Sequence, residues 1–268
     1  MPHILRWLVL GLVALVASTL AGVTGFGGAA VLLPVLVAFF GIREAVPILT
    51  VAQLIGNGSR VWFHRHALDW RVVGWFALGA VPLALLGGYL FAKAPLAALT
   101  RLLGAFLLMV VLWRHVRPQP KPFPAVAFAG IGAGASFLSA LLGSVGPIMA
   151  PFFLAYGLVK SAYIGTEALS TVVMRIATLV AYHQAAILTW DAASIGLLLA
   201  PVMILGSFLG KKIVDRLPER IFVLIIEAVL VAAGLLFLIY GRARIPTYAP
   251  TIPFSAAEQS AGLPSQAR

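Results

Sequence analysis

The 268-residue chain contains no cysteine, so disulfide bonds, thiolate metal sites and thiol redox relays are excluded. Acidic residues are scarce as well: there are eight Asp and Glu against nineteen Lys and Arg. Charged residues make up 10% of the chain and hydrophobic residues 62%, whereas soluble proteins average about 25% charged residues. This composition excludes a soluble domain and is typical of an integral membrane protein.

Charge is missing altogether from residues 7–42 and 123–159. Because roughly 20 helical residues cross a bilayer, either stretch would be nearly twice too long as one straight helix. Each is interrupted by a glycine-rich segment, which we call the first break (residues 25–28) and the second break (residues 143–147). Glycine adopts backbone dihedrals closed to other residues, and proline removes a backbone donor. We therefore predict that each stretch is broken or turns back at these segments.

Six further apolar segments are separated by short polar turns. They run over residues 45–59, 72–92, 102–113, 161–188, 192–210 and 221–240. Together with the two long stretches they give about eight transmembrane elements. The predicted fold class is an all-α polytopic membrane protein. The net charge of +11 sits mostly in loops and at helix ends, which favours lipid headgroups over nucleic acid as its partner.

The two halves of the chain resemble each other. Gly25 aligns with Gly143 and Arg60 with Arg175, with nearly constant spacing. We predict a first repeat over residues 1–122, a second repeat over 123–241 and a flexible C-terminal tail over 242–268. The oligomeric state is left open.

The basic connectors are placed differently in the two halves, at residues 65–71 in the first and one connector later, at 211–220, in the second. An inverted repeat produces this shift, so we favour inverted over parallel repeats. Both basic connectors are then expected in the cytoplasm and residues 183–191 outside, in a multi-pass protein of the cell inner (plasma) membrane.

The first break followed by Pro34, the second break followed by Pro151, and the duplicated plan resemble the sulfite exporter TauE/SafE family of membrane transporters. The resemblance covers roughly residues 8–240. It implies a secondary transporter of small anions, often sulfur-containing ones such as sulfite, sulfoacetate or other organosulfonates. The second break departs from the first, with Ser144 and Val145 in place of Phe26 and Gly27. We expect no catalytic residue, cofactor or metal.

Two arginines within apolar spans, Arg60 and Arg175, are the strongest candidates for anion binding. An arginine at the centre of a membrane helix costs at least about 2.5 kcal/mol, so it normally faces a cavity or a partner. Its planar guanidinium suits bidentate binding of a sulfonate or carboxylate. Arg60 lies close to Arg65 and could instead extend to the membrane interface.

Backbone amides at the breaks and polar side chains of the next span complete the predicted site. A helix that begins after a break directs its N-terminal dipole and unpaired donors at an anion. Helical spacing places Gln53, Asn57 and Arg60 on one face, and Glu167, Ser170 or Thr171, and Arg175 on another. The predicted substrate-binding residues are Arg175, Arg60, Gly25, Phe26, Gly27, Gly28, Gly143, Ser144, Gly146, Pro147, Gln53, Asn57, Ser170 and Thr171.

Two acidic residues, Glu167 and Glu227, are candidates for coupling transport to protons. Glu167 could take up and release the driving proton, act as a permanent counter-ion of Arg175, or lie near the membrane surface after Lys160. Glu227 lies in an apolar run and has no acidic counterpart in the first half.

The alternatives to a proton-coupled anion carrier are an anion channel, a carrier of a different metabolite and, more remotely, an intramembrane enzyme. A channel would saturate poorly and would not couple to protons. An enzyme would need Ser144 as nucleophile and His183 as base, with only Asp191 nearby to orient the histidine.

Overall fold

The computed structural model describes residues 3–95, 123–143, 145–218, 220–222 and 224. Within these ranges the chain is helical, with short turns and no strand. The helices are α1 (His3–Thr24), α2 (Gly28–Phe40), α3 (Ile42–His64), α4 (Trp70–Lys93), α5 (Ala127–Leu142), α6 (Gly146–Ala155), α7 (Lys160–Gln184), α8 (Trp190–Leu198) and α9 (Ala200–Arg216), with a 3₁₀ turn at Arg65–Ala67 between α3 and α4. The predicted all-α class is confirmed.

Four described segments are long and apolar enough to cross a bilayer: Ile4–Thr24, Trp70–Lys93, Lys160–Gln184 and Trp190–Arg216, the last of which contains both α8 and α9. The predicted segment 102–113 and most of the segment 221–240 lie outside the described residues. The structure therefore supports a helical membrane protein, and the figure of eight elements stays a prediction.

Both long uncharged stretches are broken where the glycines predict it. The first break separates α1 from α2, and the second separates α5 from α6. Gly25 and Gly143 end α1 and α5 with the same φ of +79°, in the left-handed region that favours glycine. The N–H group of each donates at 2.8 Å to the carbonyl four positions earlier, which completes the last helical turn.

Helices from the two halves of the chain pack against each other. α1 lies along α9, α4 lies along α5, and α3 lies along α7. Glycine permits the close approach: a Cβ atom at Gly79 would lie 1.8 Å from the Ala129 carbonyl oxygen, and one at Gly210 would lie 2.6 Å from the Gly22 Cα atom. Small residues at such contacts are typical of helices packed in a membrane.

The centre of the described structure is formed by α3 and α7. Of the four candidate spans, α7 is the most buried inside the protein. The outer helices instead expose apolar side chains such as Leu8 and Leu12 of α1, which are 63% and 64% exposed. Lipid is the natural neighbour of such a surface in a membrane protein. The polar residues of α3 and α7 are therefore held in the middle of the protein.

Candidate functional site

A cavity lies where the two breaks meet the central helices α3 and α7. It is a small, partly open cavity of about 30 Å³. The breaks touch there, because a Cβ atom at Gly146 would lie 2.7 Å from the Phe26 Cβ atom. The lining residues are Ala21, Gly25, Phe26, Gly27, Gly28, Ala29, Gln53, Asn57, Arg60, Val145, Gly146, Met149, Glu167, Thr171, Met174 and Arg175.

Arg60 reaches this cavity from α3, and its guanidinium is occupied. Nη1 donates to the carbonyl oxygens of Ala21 at 3.0 Å and Gly25 at 2.7 Å, while Nη2 donates to Asn57 Oδ1. Nη1 also lies 3.7 Å from Glu167 Oε2, which forms an ion pair. Because Arg60 is buried in this network, the interpretation that it extends to the membrane interface is wrong.

Arg175 reaches the cavity from α7, and part of its guanidinium is unused. Nη2 donates to Gln53 Oε1 and to the Gly143 carbonyl oxygen, both at 2.8 Å. Nε and Nη1 are buried without a hydrogen-bond partner among the described residues. A buried donor without a partner is costly, so these two nitrogens are suited to a ligand that accepts hydrogen bonds.

The two arginines occupy equivalent places in the two halves. Each donates to the carbonyl oxygen of a left-handed glycine that ends a helix: Arg60 to Gly25, which ends α1, and Arg175 to Gly143, which ends α5. The last carbonyls of a helix lack intrahelical partners and carry a negative partial charge. Each arginine therefore stabilises the helix end at its own break.

Glu167 forms its ion pair with Arg60. The interpretation that Glu167 is the counter-ion of Arg175 is therefore wrong, because the partner is the other arginine. The Oε1 atom of Glu167 accepts a hydrogen bond from Thr171 Oγ1 at 3.0 Å. Glu167 is only 3% exposed, so the interpretation that places it near the membrane surface is also wrong. The carboxylate belongs to the wall of the cavity.

Helices α2 and α6 both begin at the cavity. Their N-cap residues are Gly27 and Val145, and no side chain caps either helix. The first-turn residues Gly28, Ala29 and Gly146 line the cavity. Unpaired amides and the positive end of the helix dipole make such a terminus favourable for an anion. Arg175 lines the same cavity.

The structure places most of the predicted site residues on this cavity. The predicted residues that line it are Gly25, Phe26, Gly27, Gly28, Gln53, Asn57, Arg60, Gly146, Glu167, Thr171 and Arg175. Gly143 contributes its carbonyl to Arg175. Ser144 and Glu227 lie outside the described residues, and Pro147 is described only as part of the first turn of α6.

Ser170 is the predicted residue that the structure places elsewhere. It is buried, but it is not among the residues that line the cavity. Successive helical residues point about 100° apart, because a turn contains 3.6 residues. Ser170 points about 100° away from Thr171 and about 140° away from Arg175, so it lies off the face that carries those two side chains. The open choice between Ser170 and Thr171 thus resolves to Thr171.

Sequence reasoning missed two methionines and a tyrosine beside the site. Met149 and Met174 line the cavity, and helical spacing could have found them, because each lies three positions after another lining residue, Gly146 and Thr171. Tyr163 lies one turn before Glu167 on α7. Its ring packs so closely on Gly25 that a Cβ atom there would lie 2.5 Å away.

Comparison with known proteins identifies a family. The family model described as "Sulfite exporter TauE/SafE" matches residues 10–237. No curated protein and no solved structure gave a match. The matched range includes both breaks and every described residue of the cavity.

Proposed function

Because the chain belongs to the sulfite exporter TauE/SafE family, and is thus a membrane transporter of a family that exports sulfur anions, we propose that it carries sulfite or an organosulfonate across the cell inner membrane. Family membership also favours transport over the intramembrane enzyme. The observation that carries the proposal is the pair of buried Arg175 nitrogens that have no partner in the described part of the chain, on a residue that lines a cavity where two uncapped helices begin.

In the proposed binding mode, Arg175 is the principal cationic ligand. The two nitrogens without a partner among the described residues, Nε and Nη1, lie on different sides of the guanidinium, so each can donate a hydrogen bond to an anion oxygen. Backbone amides at the starts of α2 and α6 supply further donors. Gln53 accepts a hydrogen bond from Arg175 and orients it. Asn57 accepts a hydrogen bond from Arg60, and Thr171 donates one to Glu167, so these two polar side chains hold the Arg60–Glu167 pair in place.

We propose that the two repeats, residues 1–122 and 123–241, are inverted and enclose this site between them. Two observations support the arrangement. The first helix of each half packs against the last described helix of the other, α1 against α9 and α5 against α4. The equivalent arginines also bind equivalent glycine carbonyls. Secondary transporters with inverted repeats bind substrate at the interface of the repeats, near discontinuous helices.

The inverted arrangement predicts the sides on which the connectors lie. Single cysteines at His66, Gln184 and Arg216 can be labelled selectively, because the chain has no other cysteine. A membrane-impermeant maleimide added to intact cells should modify the cysteine at Gln184 and leave the other two unmodified until the membrane is permeabilised. Labelling of either of those two from outside would rule out the proposed topology.

A flux panel in proteoliposomes tests the proposed cargo. Sulfite, sulfoacetate and taurine should be compared with simple carboxylates and cationic drugs, with and without a pH gradient. We expect saturable flux of sulfite and sulfoacetate and none of the cationic drugs, because the cavity is lined by two cationic side chains, Arg60 and Arg175, against one carboxylate, Glu167. If cations are carried and anions are not, the assigned site is wrong.

The same panel tests proton coupling and the channel alternative. We propose Glu167 as the coupling residue, since it is the carboxylate among the described residues that line the cavity. Flux should then depend on the pH gradient in the unaltered protein and lose that dependence in Glu167→Gln. Flux that rises linearly with anion concentration and ignores the gradient would instead indicate an anion channel.

A further inference from the structure

We propose that Glu167 sets the charge of the cargo: while its carboxylate is ionised, the cavity accepts an anion with a single negative charge in preference to one with two. This inference rests on the proposed function and deepens it. It starts from a difference between the two arginines. Arg60 has a carboxylate partner and Arg175 has the neutral Gln53.

The fixed charges around the cavity sum to a single positive charge. Of the described residues that line it, three carry charge: Arg60, Glu167 and Arg175. Arg60 and Glu167 offset each other at 3.7 Å. The remaining charge is that of Arg175.

A site of this kind discriminates by charge because it is buried. A monoanion on Arg175 leaves the cavity neutral overall. A dianion of the same shape leaves one negative charge without a partner, and removing an unpaired charge from water is expensive. In water the two anions would differ far less in their attraction to the arginine, since the high dielectric constant weakens every charge pair.

The difference between the two arginines, one with a carboxylate partner and one without, comes from a single position in the duplicated sequence. Glu167 lies eight residues before Arg175, and the residue eight before Arg60 is Ala52. A second carboxylate there would have neutralised Arg175 as well. The chain therefore has two equivalent arginines, and a single acidic residue decides how many of them are available to an anion.

Methanesulfonate and sulfate test the proposal, because they share a tetrahedral shape and differ by a methyl group in place of one charged oxygen. Their dissociation constants should be measured by titration calorimetry at neutral pH on the purified full-length protein, on Glu167→Gln and on the double variant Arg60→Gln/Glu167→Gln. Thermal unfolding of each variant reports whether it is folded. The glutamine keeps an oxygen that can accept from Thr171.

The unaltered protein should bind methanesulfonate at least about tenfold more tightly than sulfate, the scale expected of one buried charge-assisted contact. A preference for methanesulfonate in the unaltered protein alone could reflect the greater hydration of sulfate. The decisive result is therefore the change in this preference between the unaltered protein and the variants. Glu167→Gln raises the fixed charge to two and should shift the ratio of the two dissociation constants at least about tenfold toward sulfate. The double variant restores a single charge and should restore the original ratio.

The outcomes separate this inference from the proposed function. If neither anion binds the unaltered protein, the proposed function fails. If both anions bind and Arg175→Gln abolishes their binding, the anion site stands. In that case, the role given to Glu167 would be overturned if the ratio of the two dissociation constants were the same in the unaltered protein, in Glu167→Gln and in the double variant. If Glu167→Gln does not fold, the unaltered protein still decides, because sulfate binding as tight as methanesulfonate binding would also overturn it.

Discussion

Replacing Arg175 with glutamine should weaken anion binding by about 10- to 150-fold, because a charge-assisted hydrogen bond in a desolvated site is worth about 1.5 to 3 kcal/mol. The substitution removes the two buried nitrogens that lack a partner among the described residues. Binding should be measured by calorimetry and transport by initial flux in proteoliposomes. The matched control is Arg71→Gln, which removes an exposed arginine at the start of α4 and should leave both quantities unchanged.

Arg175→Lys distinguishes a specific guanidinium contact from a general need for positive charge. Lysine supplies a compact point charge and cannot reproduce the planar set of donors that a guanidinium presents. It should therefore recover part of the lost affinity and remain weaker than the unaltered protein. Full recovery would mean that the charge alone matters, and normal transport by Arg175→Gln would remove Arg175 from the substrate site.

The sequence predicted those features that follow from local constraints. The lengths of the two uncharged stretches, set against the thickness of a bilayer, predicted helix breaks, and glycine at Gly25 and Gly143 located them. Helical spacing predicted that Gln53, Asn57 and Arg60 share a face. The structure places all three on the cavity.

The pairing of charges could not be predicted in the same way. The sequence left the role of Glu167 open between a proton carrier, a counter-ion of Arg175 and a position near the membrane surface, whereas the ion pair forms between Glu167 and Arg60 of α3. That contact depends on how α3 and α7 rotate against each other, which is set by packing throughout the protein. The same rotation decides that Thr171 and Met174 line the cavity and that Ser170 does not.

The interruption of the span over residues 192–210 is a second feature that the apolar composition did not predict. Residues 192–210 were predicted as one apolar segment, and the structure divides that region between α8 and α9 at Leu199. Pro201 lies in the first turn of α9 and has no backbone N–H group with which to continue the hydrogen bonding of α8. The apolar composition identified the span, while the interruption depends on a single residue within it.

The buried ion pair predicts a large loss of stability when either partner is removed alone. Arg60→Met should lower the free energy of unfolding by about 3 to 5 kcal/mol, because it leaves the buried Glu167 carboxylate without its cation. It also removes the donor to the Gly25 and Ala21 carbonyl oxygens. Glu167→Met should destabilise the protein for the converse reason. Chemical unfolding in detergent, followed by circular dichroism, measures both.

The double variant Arg60→Met/Glu167→Met should be less destabilised than the sum of the two single variants, because it leaves neither charge uncompensated. Exposed pairs contribute little by comparison, since solvent screens them. Lys211 and Asp215 of α9 form such a pair, with side chains 30% and 45% exposed, and Lys211→Met should change the free energy of unfolding by at most about 1 kcal/mol. If Arg60→Met were no more destabilising than Lys211→Met, Arg60 would not be the residue that fixes the first break and balances Glu167.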